Sequence, residues 1–89
     1  EQALIDHPAV ADVLVVGAPD DRWGEQVVAV VQPRADSAVG LDELRAHART
    51  RLAGYKLPRR LVTVQQVRRS PSGKADYTWA KNTVADSPA

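Results

Sequence analysis

Near its end, the chain carries Ser70-Pro71-Ser72-Gly73-Lys74, a stretch that puts a primary amine on a turn. Pro71 restricts the backbone, Gly73 admits a conformation other residues resist, and Lys74 projects from the turn as a compact point charge. Phosphate binding is the first chemistry a Gly-Lys pair brings to mind. A P-loop, however, needs Gly five residues before that pair and Ser or Thr straight after it. Arg68 and Ala75 hold those positions, so both tests fail. Taken alone, a Gly-Lys in a loop is ordinary surface decoration.

Other constellations are emptier. Ser72, His47 and an Asp name a triad that nothing in their spacing brings together. Asp20-Asp21 reads as a turn, not as a paired acid and base, and Asp6-His7-Pro8 reads as a helix end. There is no Cys, which excludes disulfide scaffolds and thiolate metal sites. His7 and His47 stand forty positions apart with no third His, so no metal site is expected.

The elements that carry these residues follow from hydrophobic pattern and punctuation. Ala3, Leu4 and His7 share one face of a helix over residues 1–7, stopped by Pro8. That first turn has no N-cap residue ahead of it, which is expected of a helix begun upstream. Val10 to Val16 is a β-branched strand ended by a turn at Gly17-Ala18-Pro19-Asp20-Asp21. Gln26 to Gln32 is a second strand, ended by Pro33. Both runs are more continuously apolar than alternating, as in strands covered on both faces. Leu41, Leu44, Ala48 and Leu52 form one helical stripe. Gly40 is its N-cap, Asp42 and Glu43 lie in its first turn, and Gly54 closes it. Leu61 to Val67 is a third strand, with Leu61, Thr63, Gln65 and Val67 on one face and Val62, Val64 and Gln66 on the other. Arg68 to Lys74 is a basic loop, and Tyr77 to Lys81 a short helix before a frayed tail.

The expected fold class is α+β, a small three-stranded sheet with flanking helices in the order helix-strand-strand-helix-strand-loop-short helix. A right-handed crossover through the helix at 41–54 runs the third strand in the direction of the second. The expected strand order is 2-1-3.

Eighty-nine residues make one domain at most. With 44% apolar residues but only two Trp, two Tyr and no Phe, its thin core is built from Val, Leu, Ile and Ala. The longest apolar run, Val27 to Val31, is far short of the ~20 residues of a membrane helix. No signal peptide is visible, and a cytoplasmic location is expected. The net charge of +1 hides an asymmetry: −7 over residues 1–44 and +9 over residues 45–81. A basic half of this kind recruits anions such as phosphates, carboxylates or nucleic acid, or is simply solvated surface.

Four motifs, in order and in register, carry a resemblance: Gly17-Ala18-Pro19-Asp20, then Trp23-Gly24-Glu25, then Tyr55-Lys56-Leu57-Pro58, then Arg69-Ser70-Pro71-Ser72-Gly73-Lys74. Together they resemble the small C-terminal domain of adenylate-forming enzymes, the superfamily of acyl-CoA synthetases, aryl-CoA ligases, peptide-synthetase adenylation domains and beetle luciferases. The likeness covers residues 1 to about 81, leaving residues 82–89 as a flexible tail. Lys74-Ala75-Asp76-Tyr77, with Trp79-Ala80-Lys81, is most similar to bacterial fatty-acid or steroid-side-chain acid–CoA ligases. Arg68 departs from the family pattern, which often has Pro there.

The resemblance implies a mobile domain that works with its own N-terminal domain on a carboxylic acid, ATP with Mg, and CoA. It implies that Lys74, supported by Ser72 and Gly73, reaches the carboxylate and the phosphate–ribose oxygen during adenylation and swings away for thioester formation. The loop of Trp23, Gly24 and Glu25 would then approach the thiol channel, although Trp23 reads equally as a packing anchor. Lys56, Arg59 and Arg60 are candidates for the CoA phosphates, or form a solvated strand entrance. Acetylation of Lys74 by a lysine acetyltransferase would remove its charge. Two rivals stand beside this reading: an adenylation domain delivering to a carrier protein, and a basic module holding nucleic acid, for which few aromatics are present to stack bases.

Overall fold

The computed structural model describes residues 1–20, 22, 24–52 and 56–87. Its elements are α1 (Gln2–Ile5), β1 (Val10–Asp20), β2 (Gly24–Pro33), α2 (Leu41–Ala48), β3 (Arg60–Thr63) and α3 (Tyr77–Asp86). The architecture is α+β, with helices on a three-stranded sheet in the expected order along the chain.

The strand order is β1-β2-β3, so β2 and not β1 is central, a correction of the expected 2-1-3. Burial supplies the reason. Val28, Ala29, Val30 and Val31 of β2 are all completely buried, whereas β1 interleaves buried with half-exposed positions as an edge strand does. β1 and β2 form an antiparallel hairpin with an irregularity between Val10 and Asp12. β2 and β3 run parallel, as the crossover through α2 requires.

Both faces of the sheet are covered. On one, Val13, Ala29 and Val31 pack with Leu4, Leu44 and Ala48 from α1 and α2. On the other, Leu14, Val16, Val28, Val30 and Val62 pack with Ala80 and Val84 from α3. The alternation of neighbouring strand residues between two cores explains why the strands read as unbroken apolar runs.

Several boundaries differ from those expected. β1 continues through Gly17-Ala18-Pro19-Asp20, pairing as far as Asp20 with Gly24. Pro19 is tolerated there because β1 is an edge strand. β3 ends at Thr63 instead of Val67. Val64 N–H still donates to the Val31 carbonyl at 2.9 Å, but the next rung would need an amide proton from Pro33, which has none. The chain then turns, so Val67 joins Val62 in the α3-side core and not the opposite face. Its N–H is taken by the Gln32 side chain at 3.0 Å.

α2 is shorter than expected, ending at Ala48, with Gly40 as N-cap and Asp42 and Glu43 in its first turn. The expected cap at Gly54 lies outside the described residues. α3 extends through Asp86 where a short helix to Lys81 and a tail from residue 82 were expected. Val84 anchors the added turn in the core, and the Thr83 hydroxyl donates to the Trp79 carbonyl at 2.8 Å. His7, at the end of α1, is buried: its Nδ1 accepts the Ala9 N–H at 3.0 Å and its Nε2 meets Glu43 of α2 at 2.8 Å. It therefore joins two helices. Among the described residues no helix is long and apolar enough to cross a membrane.

Candidate functional site

After Val67 the chain makes a narrow turn closed by an antiparallel bridge between Arg69 and Ala75. Ser70 is its hub. Its N–H donates to the Lys74 carbonyl at 2.9 Å, its carbonyl accepts from Gly73 at 2.8 Å, and its Oγ accepts the Lys74 N–H at 3.2 Å. The Ser72 hydroxyl lies 3.0 Å from the Ser70 hydroxyl. Gly73 has φ 88°, a left-handed conformation that a side chain would strain. Ser72, Gly73 and Lys74 are thus brought together, and the Lys74 side chain is exposed. It borders a cleft of about 600 Å³ that also touches Arg68, Arg69 and Tyr77.

Arg69 fastens this turn to the sheet. Its Nε and Nη2 each donate to one oxygen of Asp12 on β1, both at 2.8 Å, and its Nη1 donates to the Gly73 carbonyl at 3.2 Å. The Arg69 guanidinium holds the Asp12 carboxyl below the usual carboxylate range, and Asp12 in turn keeps Arg69 more firmly protonated. Asp76, next after the turn, caps α3 by accepting the Trp79 N–H at 2.9 Å. Tyr77 donates its hydroxyl to Glu1, an interaction that pushes the phenol pKa up.

Gly24 and Glu25 are not beside Lys74. They lie at the hairpin end of the sheet, opposite Asp20 and Pro19, eight strand residues beyond Asp12 or roughly 26 Å at ~3.3 Å per residue. Gly24 has φ 81°. The Glu25 carboxylate folds over Gly17 so closely that a Cβ there would sit 2.3 Å from its carboxyl carbon. Trp23 lies outside the described residues, as does Tyr55 of the third motif.

The three phosphate candidates separate. Arg60 shares a cleft of about 540 Å³ with Glu25 and Lys81. Its Nη2 donates to the Ser87 carbonyl at 2.8 Å and, at 3.4 Å, to that of Val84, so it caps the negative end of α3. Arg59 is exposed, and its N–H donates to Val27 at 2.8 Å. Lys56 borders an apolar cleft with Leu4, Val15 and Pro58. The basic half of the sequence is dispersed as well, because Arg45 donates to the Pro58 carbonyl and Arg51 pairs with Asp6. Sequence reasoning gave no role to Asp12 or to the Arg69 side chain. The available signal was a lone acid inside an apolar strand.

A turn that displays one lysine from a rigid seat, on a domain with a second glycine-bearing end, matches a known family. The family model for the AMP-binding enzyme C-terminal domain aligns with residues 1–74. The chain belongs to that family. This AMP-binding C-terminal domain is 54% identical, over all 89 residues, to the medium/long-chain-fatty-acid–CoA/3-oxocholest-4-en-26-oate–CoA ligase of Mycolicibacterium smegmatis. It is also 54% identical over its whole length to the 3-oxocholest-4-en-26-oate–CoA ligase of Rhodococcus rhodochrous. In each case it spans 16% of the relative's length. Among solved structures, a Mycobacterium tuberculosis fatty acyl CoA synthetase superposes with a TM-score of 0.82 at 34% identity, over 92% of this chain and 16% of that one. A Brucella canis acyl-CoA synthetase gives 0.85 at 31% identity, over 96% and 16%.

Proposed function

We propose that this domain is the mobile lid of an ATP-dependent acid–CoA ligase and that Lys74 is its adenylation lysine. The observation that carries the reading is the seat of Lys74: an exposed ammonium on a turn whose backbone is closed on Ser70 and bent at Gly73. In the first half-reaction a substrate carboxylate oxygen bonds to the α-phosphorus of ATP as the bond to pyrophosphate breaks. Lys74 offsets the charge gathering on the carboxylate and the five-coordinate phosphorus, and keeps the two in line. Arg68, which borders the same cleft, suits a polyanion. Mg is taken to arrive with ATP and to be held mainly by the N-terminal domain.

In the second half-reaction the domain turns, Lys74 withdraws, and the Gly24–Glu25 end faces the thiol. Gly24 leaves room for the pantetheine arm, with Trp23 beside it in sequence. Arg59, Arg60 and Lys56 remain candidates for the nucleotide phosphates of CoA, Arg60 with its α3 cap to give up. Relatives that are fatty-acid and 3-oxocholest-4-en-26-oate CoA ligases favour free CoA over a carrier protein, and a fatty or steroid-side-chain acid as the carboxylate. The exposed Lys74 is open to a lysine acetyltransferase, and the cytoplasm is the proposed compartment.

The test is Lys74→Ala in the full-length ligase. Acid-dependent ATP–pyrophosphate exchange falls by ~10²–10³, the loss typical of one preorganised charge. Thioester formation from supplied acyl-AMP stays near the unmodified rate. Equal loss in both half-reactions refutes the assignment.

A further inference from the structure

The hydrogen bonds inside residues 70–74 give the turn its shape but do not say where it points. Residues 68–74 are all exposed, so apolar packing does not aim it either. Its two flanks are anchored, at Val67 by Gln32 and at Asp76 by the start of α3. Between them, Arg69 joins the turn to the sheet. All three of its guanidinium nitrogens are committed, two to the carboxylate of Asp12 and one to the carbonyl of Gly73, the residue directly before Lys74. One planar group therefore spans from a β-strand to the peptide that carries the lysine.

We propose that Asp12 and Arg69 are positioning residues for Lys74, an inference that rests on Lys74 acting in adenylation. β1 sets the place of Asp12, Asp12 sets the plane of the guanidinium, and that plane sets the Gly73 carbonyl. The ammonium then meets the carboxylate and the phosphate–ribose oxygen without searching for them. Lysine at position 69 cannot replace the fork, because a point charge holds neither two carboxylate oxygens in a plane nor the carbonyl beyond them. Displacements of ~1 Å in such a group cost on the order of 10² in rate.

The test uses the full-length ligase with Arg69→Ala, Arg69→Lys and Asp12→Asn. The expected result is a kcat for ATP–pyrophosphate exchange lower by ~10–10², with the KM values for acid and ATP within about 2-fold. Thioester formation from supplied acyl-AMP is unchanged in the same preparations, which also reports that they fold. Arg69→Lys does not restore the rate. Asp12→Ala with Arg69→Ala together cost no more than the worse single change, since both break one link. Full-rate exchange in Asp12→Asn, or equal loss of both half-reactions in all three single variants, overturns the inference. Lys74→Ala in parallel separates the two levels. If it abolishes exchange while Asp12→Asn does not slow it, the positioning role alone fails. If Lys74→Ala leaves exchange intact, the functional reading fails and this inference with it.

Discussion

At the Asp12 end of β1 a turn is held by a charged fork and closed on its own serine, whereas at the Asp20 end Gly24 stands at φ 81° with open space where a Cβ would be. Both ends use a glycine in the left-handed region, yet for different purposes. Gly73 bends the chain directly before Lys74, the residue that the proposed function needs aimed. Gly24 leaves open space at the hairpin end, which the proposed function assigns to the pantetheine arm. On the proposed function one end would place a charge and the other give clearance, and the β1–β2 hairpin separates them.

Paired substitutions set these ends against each other. Gly73→Ala and Gly24→Ala each force a side chain into left-handed backbone at ~1–2 kcal/mol. In the full-length ligase, Gly73→Ala slows pyrophosphate exchange by about 10-fold and spares thioester formation. Gly24→Ala does the reverse. Both half-reactions slowing together in either variant would erase the distinction between the ends. A smaller effect is expected at Asp76, whose carboxylate caps α3 directly after the Lys74 turn. Asp76→Ala lowers unfolding stability by ~1 kcal/mol in denaturant titration and leaves the Gly24 end untouched.

The smallest effect is one of pH. Because Arg69 depresses the Asp12 pKa in the folded state, the pair contributes fully above the unfolded carboxylate value of ~3.9 and is lost as pH falls through the lower folded value. For a partly exposed pair this amounts to ~0–1 kcal/mol. Stability of the Asp12→Asn variant should therefore differ from that of the parent at neutrality and converge with it as acid carries the pH below the depressed folded-state pKa of Asp12, by thermal unfolding across that range.

The sheet and its helices were legible because burial on two faces leaves unmistakable valine runs at 10–16 and 26–32. The strand order was not. Both runs read as doubly covered, and only the paired edges distinguish β2, with its four wholly buried residues, from β1. The end of β3 was hidden for a related reason. Leu61 to Val67 has the right residues for a longer strand, and what stops it is a missing proton on Pro33, in another strand. Gly17 and Pro19 read as turn residues because an isolated sequence does not reveal which strand lies at an edge.

At the candidate site the lysine turn was readable from local chemistry, since Ser70, Gly73 and Lys74 bond among themselves. The Asp12–Arg69 link was not, because 57 residues separate its partners. In the sequence Arg60 reads as a candidate for the CoA phosphates or as part of a solvated strand entrance. Its work in capping α3 depended on a helix that runs to Asp86.

Pro33 has one more effect. By withholding a single hydrogen it releases the polypeptide from the sheet after Val64, and the segment from Gln65 to Ala75 thereby gains the slack to cross to Asp12 on the far edge strand. Had residue 33 been able to donate, the β2–β3 ladder would run on as far as Gln65, opposite the last residue of β2. The stretch left to reach Asp12 would then be shorter by that rung.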